Sequence, residues 1–121
     1  MTYVDGFVLP VKKKNISIYK KMAQDGARMW KKAGALRYFE CVGDDLHSKW
    51  VKLTFPKMAK IKPGETVFFS FITYKSRKHR DSVNARVMKG MEKNKDKYKD
   101  MQMPFDMKRM AYGGFRAIVE K

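Results

Sequence analysis

The sequence predicts an α+β protein in which amphipathic helices pack on one face of an antiparallel sheet. The stretch 65–74 is aromatic and β-branched without a Gly or Pro, as in a central strand. Two other stretches, 16–33 and 76–91, repeat apolar residues at helical spacing. Both faces of 65–74 are largely apolar, so helices can cover one face and the other needs a second cover.

The chain opens with a predicted strand from Tyr3 to Val11, in which Asp5 interrupts an otherwise apolar face. Asn15 is a suitable N-cap for the first helix, and Gly34 is placed to end it. The helix carries an apolar stripe, which is more typical of a protein core than of a cofactor site. The members of the stripe are Tyr19, Met22, Ala23, Gly26, Met29, Trp30 and Ala33.

The middle of the chain contains the second strand and a candidate third. Ala35 to Gly43 alternate as a strand does. Lys49 to Phe55 are a further candidate strand, ended by Pro56 because proline cannot donate to a ladder. A short helical turn over 57–59 and a β-turn over 62–65 then lead into the central strand.

The last third of the chain contains the second helix and the last strand. Ser76 supplies a hydroxyl suited to the N-cap of the helix. Residues 93–100 are highly charged and either extend this helix or form an excursion from it. A last strand is predicted from Arg109 to Val119, with a bulge or close approach at Gly113-Gly114. The resulting order, βαββαβ, is that of the ferredoxin-like fold.

Length and composition suit a single domain over residues 1–121. The N-terminus shows no secretory signal, and no apolar stretch is long enough to span a bilayer, so no membrane partner is expected. The single cysteine, Cys41, excludes an internal disulfide framework and is expected to be a buried thiol. Its isolation suits a reducing compartment, and a cytoplasmic location is expected.

The net charge of +16 has two interpretations. Lysines can be scattered over solvated faces without a specific role, or they can attract a polyanion such as nucleic acid. The candidate contacts for nucleic acid are 12–14, 57–62 and 75–80. An RNA-recognition motif has the same order of strands and helices. However, the stretch 65–74 lacks the signature of that motif.

Four separated blocks of the sequence, in the same order, resemble the DUF1428 family of YbaA-like proteins. They are Tyr3–Val8, Glu40–Asp45, Tyr74–Asn84 and Met103–Phe115. The resemblance implies the dimeric α/β-barrel superfamily, in which two ferredoxin-like sheets face each other. A homodimer through the open sheet face would then supply the second cover. The family has no established activity, so the resemblance leaves open whether the protein is an enzyme.

Asp5 and Glu40 are the most informative polar residues, because each interrupts an apolar strand face and a buried carboxylate is costly unless paired. If both face a cavity, they and Tyr38 supply proton-transfer groups of the kind a monooxygenase-like or isomerase-like site requires. His79 and Arg116 are also expected to line or polarise this site. Exposure of the carboxylates at a sheet edge is the alternative.

A second group of polar residues is expected to form one cluster. Arg80 and Asn84 share a helix face, and Asp81 near the helix N-terminus is stabilised by the helix dipole. Asp106 and Arg109 are expected to join them in space, where the group binds a ligand or pins the last loop. An ion-pair and capping network without a functional role is the alternative.

No metal or cofactor is predicted. His47, His79, Cys41, Asp44 and Asp45 show no metal-ligand spacing, and the chain has no phosphate loop or dinucleotide fingerprint. The working hypothesis is a dimeric protein that holds a small, aromatic ligand between sheet and helices. A monooxygenase-like activity is suggested only by analogy of fold. The alternative to ligand binding is electrostatic binding of RNA.

Overall fold

A computed structural model describes residues 1–121 and shows four strands and four helices. Short 3-10 turns at Lys13–Asn15 and Met107–Arg109 precede α1 and β4. The elements in chain order are β1 (Tyr3–Lys12), α1 (Ile16–Lys32), β2 (Arg37–Val42), α2 (Phe55–Met58), β3 (Glu65–Tyr74), α3 (Arg77–Lys93), α4 (Lys95–Tyr98) and β4 (Ala111–Arg116).

The four strands form one sheet in the order β2-β3-β1-β4, and every neighbouring pair is antiparallel. The two central strands pair along their full lengths, from Tyr3 opposite Tyr74 to Lys12 opposite Glu65. Each long helix connects two parallel strands that flank a third. This is the ferredoxin-like arrangement, so the predicted fold class is confirmed.

The helix boundaries follow from local chemistry that the sequence largely shows. Ser76 accepts a hydrogen bond from the His79 backbone N–H at 3.1 Å, which caps α3 as predicted. Gly34 has φ of +117°, a left-handed conformation that favours glycine after a helix. Asn15 lies at the N-cap position of α1 as predicted, but its side chain makes no capping hydrogen bond, and a 3-10 turn leads into the helix.

The buried core consists of two separate clusters on the helix-covered face of the sheet. The first lies under α1 and includes Tyr19 and Phe68. The second lies under α3 and includes Ile72, Tyr74 and Val83. The buried members of the two clusters are distinct, and Phe7 of β1 packs against both of them over the middle of the sheet.

No helix covers the centre of the opposite sheet face. Phe39 and Phe71 stack there with ring centroids 4.5 Å apart, while Phe69 is 44% exposed and Phe115 is 62% exposed. Cys41 lies on the same face and is exposed, so the prediction of a buried thiol is wrong. The reason is that β2 is an edge strand whose odd-numbered side chains point away from the helices.

The predicted strand at Lys49 to Phe55 is also wrong. Strand β2 ends at Val42, opposite Phe68 of β3, and residues 49–55 pair with neither strand. That segment forms irregular turns before α2, which Thr54 caps by accepting from the Lys57 N–H. None of the helices has the length and apolar character required to cross a bilayer.

Candidate functional site

A cavity of about 1230 Å³ lies between the sheet and the two long helices. Its floor is formed by side chains from all four strands, including Tyr112 of β4, and its walls by α1, α3 and the segment 95–110. Members of both core clusters line it, among them Tyr19 and Ile72, together with Phe7. A largely apolar cavity with a few polar groups is the usual setting of a small-molecule site.

Glu40 stands at the floor of this cavity on β2, and three hydroxyl groups hold its carboxylate. Tyr19 donates to Oε2 at 2.8 Å, and Tyr38 donates to Oε1 at 3.1 Å. The third donor is Ser70, which lies directly opposite Glu40 on β3. No lysine, arginine or histidine forms an ion pair with Glu40. The charge is therefore stabilised by neutral donors alone.

Burial, reinforced by the negative charge of Glu40, raises the pKa of Tyr19 and of Tyr38 above the ordinary value for a phenol. Both phenols consequently keep their protons at neutral pH and remain hydrogen-bond donors. A carboxylate with its two phenols can accept a hydrogen bond from a bound molecule or exchange a proton with it.

Asp5 on β1 differs from Glu40, because its carboxylate has a cationic partner. It is 1% exposed, and its carboxylate accepts from Arg80 Nη1 of α3 at 2.6 Å. Arg80 lies over the Tyr3 ring, 4.9 Å from its centroid. At Gly114 a Cβ atom would lie 2.9 Å from Arg80 Nη1 and against the Tyr3 hydroxyl, so this glycine provides the close approach that the sequence predicts.

Methionines form much of the cavity wall. Eight of the ten in the chain line it: Met22, Met29, Met88, Met91, Met101, Met103, Met107 and Met110. Tyr98 donates to the sulfur of Met29 at 3.6 Å and so links the 95–110 segment to α1. Methionine side chains are unbranched and polarizable, so such a wall can adapt to ligands of irregular shape.

The structure brings three of the five predicted ligand-binding residues together. Asp5, Tyr38 and Glu40 all line the cavity. His79 does not, because it lies in the first turn of α3 and its Nδ1 accepts from the Lys75 N–H at 3.0 Å. Arg116 is exposed at the end of β4, opposite Tyr3, and also lies outside the cavity.

The predicted polar cluster is divided between the two ends of the sheet. Arg80 bonds to both Asp81 and Asp5, and Asn84 lines the cavity, where its Oδ1 accepts from Trp30 Nε1 at 3.1 Å. Asp106 and Arg109 do not join them. Arg109 instead forms two hydrogen bonds of 2.7 Å to Glu65, at the end of β3 remote from Asp5.

The Glu65–Arg109 pair should make folding stability depend on pH. Hydrogen bonding to Arg109 lowers the pKa of Glu65 to about 2 from 4.5. Because the folded-state pKa is lowered, this stabilisation is complete above pH 4.5 and is lost as the pH falls towards 2. We expect Glu65→Gln to reduce the free energy of unfolding at neutral pH by about 1.5–3 kcal/mol.

Urea unfolding of the wild type and Glu65→Gln between neutral pH and pH 2 would test this, since the difference between them should shrink over the acid range. Glu92→Gln is the matched control, because Glu92 forms only an exposed pair with Lys95 at 3.8 Å. A difference between wild type and Glu65→Gln that is constant with pH would contradict the expectation.

Sequence reasoning missed three of the residues around Glu40 and Asn84. Ser70 is a polar residue on the helix-facing side of the central strand, and this interruption of an apolar face was a usable signal. Tyr19 and Trp30 fit the apolar stripe of α1, so their polar atoms gave no separate signal. No group of three or more His, Cys, Asp or Glu side chains is arranged to hold a metal ion.

The fold and the cavity define a ferredoxin-like α+β protein with a candidate ligand site between its two layers. The family model described as "Protein of unknown function (DUF1428)" matches residues 2–107. The chain belongs to this family.

Full-length relatives carry the same description of function. The chain is 40% identical over 124 aligned positions to "Uncharacterized protein YbaA" of Escherichia coli K12, with complete coverage of both chains. The protein of the same name from Shigella flexneri matches equally well. Among solved structures, "De novo designed protein Foldit4" aligns over 97% of this chain and 99% of its own, with a TM-score of 0.45 and 9% identity. A likeness at that level defines neither fold nor function.

Proposed function

We propose that this protein binds a small, largely apolar and partly aromatic molecule in the cavity between its sheet and helices. The observation that supports the proposal most directly is the Glu40 carboxylate at the cavity floor, held by three hydroxyls and lacking a cationic partner. A hydrogen-bond donor on the ligand would meet this carboxylate, while its apolar body would contact the methionine wall.

The hydrogen-bonding capacity of Glu40 supports a role in binding. A carboxylate has about four lone-pair sites, and Tyr19, Tyr38 and Ser70 occupy three of them. The remaining capacity is available to a donor in the cavity. An apolar side chain at this position would cost less to bury than a half-buried charge, so packing alone gives no reason for a glutamate here.

Glu40→Gln is expected to weaken binding of an aromatic probe that carries an N–H group. N-phenylnaphthylamine is a suitable probe, because its fluorescence rises in an apolar environment and its amine can donate to a carboxylate. Loss of a hydrogen bond to a charged group should raise the dissociation constant by about tenfold or more. Fluorescence titration measures this change directly.

Asp45→Asn is the matched control for this titration, since Asp45 is exposed in the loop after β2. It should leave the dissociation constant unchanged. Native mass spectrometry of the purified wild type would complement the titration by giving the mass of any small molecule retained from the cell. Equal affinity of Glu40→Gln and wild type would remove the proposed role of Glu40.

The same proposal includes a homodimer in which the open sheet faces of two subunits cover each other. The exposed rings of Phe69 and Phe115 support it, together with the stacked pair Phe39 and Phe71. A contiguous apolar face of this kind is unusual on a monomer. The interface would bury on the order of 800 Å² per subunit.

The lone free cysteine is the argument for a cytoplasmic location.

Binding of single-stranded nucleic acid to the open sheet face is a second candidate. The net charge of +16 favours it, as does the Arg37 guanidinium 4.6 Å from the centroid of Phe39. Nucleic acid and a second subunit would compete for this face. Anisotropy of a labelled oligouridine at increasing salt separates the candidates, because phosphate binding weakens steeply with ionic strength and cavity binding of a neutral probe does not.

A further inference from the structure

The segment between β2 and β3 presents a surface that is both apolar and basic, which we name the Trp50 patch. Its apolar members are Trp50, Val51, Leu53, Phe55 and Met58. Its basic members are Lys49, Lys52, Lys57, Lys60 and Lys62, all exposed. Trp50 is 95% exposed. The chain has no aspartate or glutamate from residue 46 to residue 64.

The patch has a packed base, formed by Phe55 and Ala59, and an exposed tip at Trp50. Phe55 and Phe69 form a T-shaped pair with ring centroids 6.2 Å apart, and Ala59 is buried. Towards the tip, the only hydrogen bond at Trp50 is from its own N–H to the Ser48 hydroxyl at 3.1 Å. None of the five lysines forms an ion pair. The tip therefore has neither apolar cover nor charge compensation within the chain.

The combination of charges and apolar groups restricts the partner. The same patch on a second copy fits poorly, since each copy would bring five lysines to the contact and residues 46–64 include no acidic residue to pair with them. Nucleic acid offers phosphates but no apolar interior for Val51 and Leu53. An anionic lipid bilayer offers both, with phosphates at the surface and acyl chains directly beneath.

We propose that the Trp50 patch binds the surface of a bilayer that contains anionic lipids. Trp50 and Leu53 insert at the boundary between headgroups and acyl chains, where tryptophan is favoured, and the lysines contact lipid phosphates. The absence of a spanning segment, from which the sequence predicts no membrane partner, does not oppose this. A protein that lies on the surface needs only an exposed apolar patch and compensating charge. This proposal is independent of the cavity.

Co-sedimentation of the full chain with vesicles tests the proposal. One set of vesicles is phosphatidylcholine alone, and the other is phosphatidylcholine and phosphatidylglycerol in equal parts. We expect binding only to the second set, with a blue shift of Trp50 emission that disappears in Trp50→Phe. Replacing Lys49 and Lys52 by glutamine should weaken binding about 25-fold, since each lysine near an anionic surface contributes about fivefold.

Two matched controls separate the patch from the overall charge. Lys20→Gln with Lys21→Gln removes two exposed lysines from α1, and Ile18→Ala removes an apolar side chain that is also exposed there. Both should bind vesicles as the wild type does, whereas Trp50→Ala should bind weakly.

Three outcomes would overturn the proposal. The first is equal loss in the α1 controls and the patch variants, which would assign binding to net charge. The second is a Trp50 emission that is already blue-shifted without lipid and that reverts on dilution, which would assign the patch to a second copy. The third is quenching of Trp50 by an oligouridine under conditions where the vesicles leave its emission unchanged.

Discussion

Substituting Phe69→Asp together with Phe115→Asp is expected to convert the proposed homodimer into a monomer. Both rings are exposed on the open sheet face, where a second subunit would cover them. In a two-fold dimer each substitution occurs twice, so four carboxylates would enter an apolar interface. Burial of unpaired charges costs several kcal/mol per ion. We expect this cost to exceed the favourable free energy of the dimer interface. Sedimentation velocity of wild type and variant at one concentration measures the change.

Ile18→Asp is the control for this experiment, because Ile18 is comparably exposed but lies on α1, away from the open face. Its sedimentation coefficient should match that of the wild type. Cys41 provides an independent readout, since the thiol lies on the open face. Its reaction with a thiol reagent should be slow in the dimer and fast in the Phe69→Asp, Phe115→Asp variant. A wild type that sediments as a monomer would contradict the proposed assembly.

Arg80→Met is expected to lower the free energy of unfolding by about 3–5 kcal/mol. The substitution leaves the Asp5 carboxylate, 1% exposed, without its cationic partner. An uncompensated charge in that position destabilises the folded state far more than the ion pair itself stabilises it. Chemical denaturation at neutral pH measures the loss.

Two further variants identify the cause of that loss. Adding Asp5→Asn to Arg80→Met removes the unpaired charge and should recover much of the stability. Arg28→Met is the matched control, since Arg28 pairs with Asp25 on an exposed helix surface. It should cost less than about 1 kcal/mol. Equal effects of Arg28→Met and Arg80→Met would show that Asp5 does not depend on Arg80.

The contrast between the two strand carboxylates explains why only one is assigned to ligand binding. Asp5 is neutralised by Arg80, whose remaining contacts run to Asp81 and the Tyr112 hydroxyl. Glu40 has only hydroxyl partners. Of the two charges on the cavity floor, the Glu40 carboxylate is therefore the one available to a donor or cation that enters.

Sequence reasoning succeeded where a residue's role depends on its near neighbours in the chain. The alternation along 65–74 predicts β3, and the hydroxyl of Ser76 predicts the start of α3. It was less successful where the role depends on a distant segment. Lys49 to Phe55 have strand-like composition, yet this segment pairs with no strand of the sheet. Tertiary pairing overrides local preference in such cases.

The candidate site shows the same difference between features set by near neighbours in the chain and features set by distant segments. Polar interruptions of apolar strands predict that Asp5 and Glu40 are unusual, and the structure places both at the cavity floor. The partner of Asp5 is Arg80, 75 residues away, and Arg109 pairs with Glu65 rather than joining Arg80. The sequence offers several arginines for each carboxylate and no means of choosing between them.

The sequence by itself determined the ferredoxin-like order of strands and helices, the helix ends at Ser76 and Gly34, and an apolar sheet face without cover in the chain. These features depend on side-chain periodicity and on backbone conformation. Only the tertiary structure decided that Ser70 lies opposite Glu40 and that Tyr19 reaches it from α1. Strand register and helix docking set these distances, and both arise from packing between residues far apart in the chain.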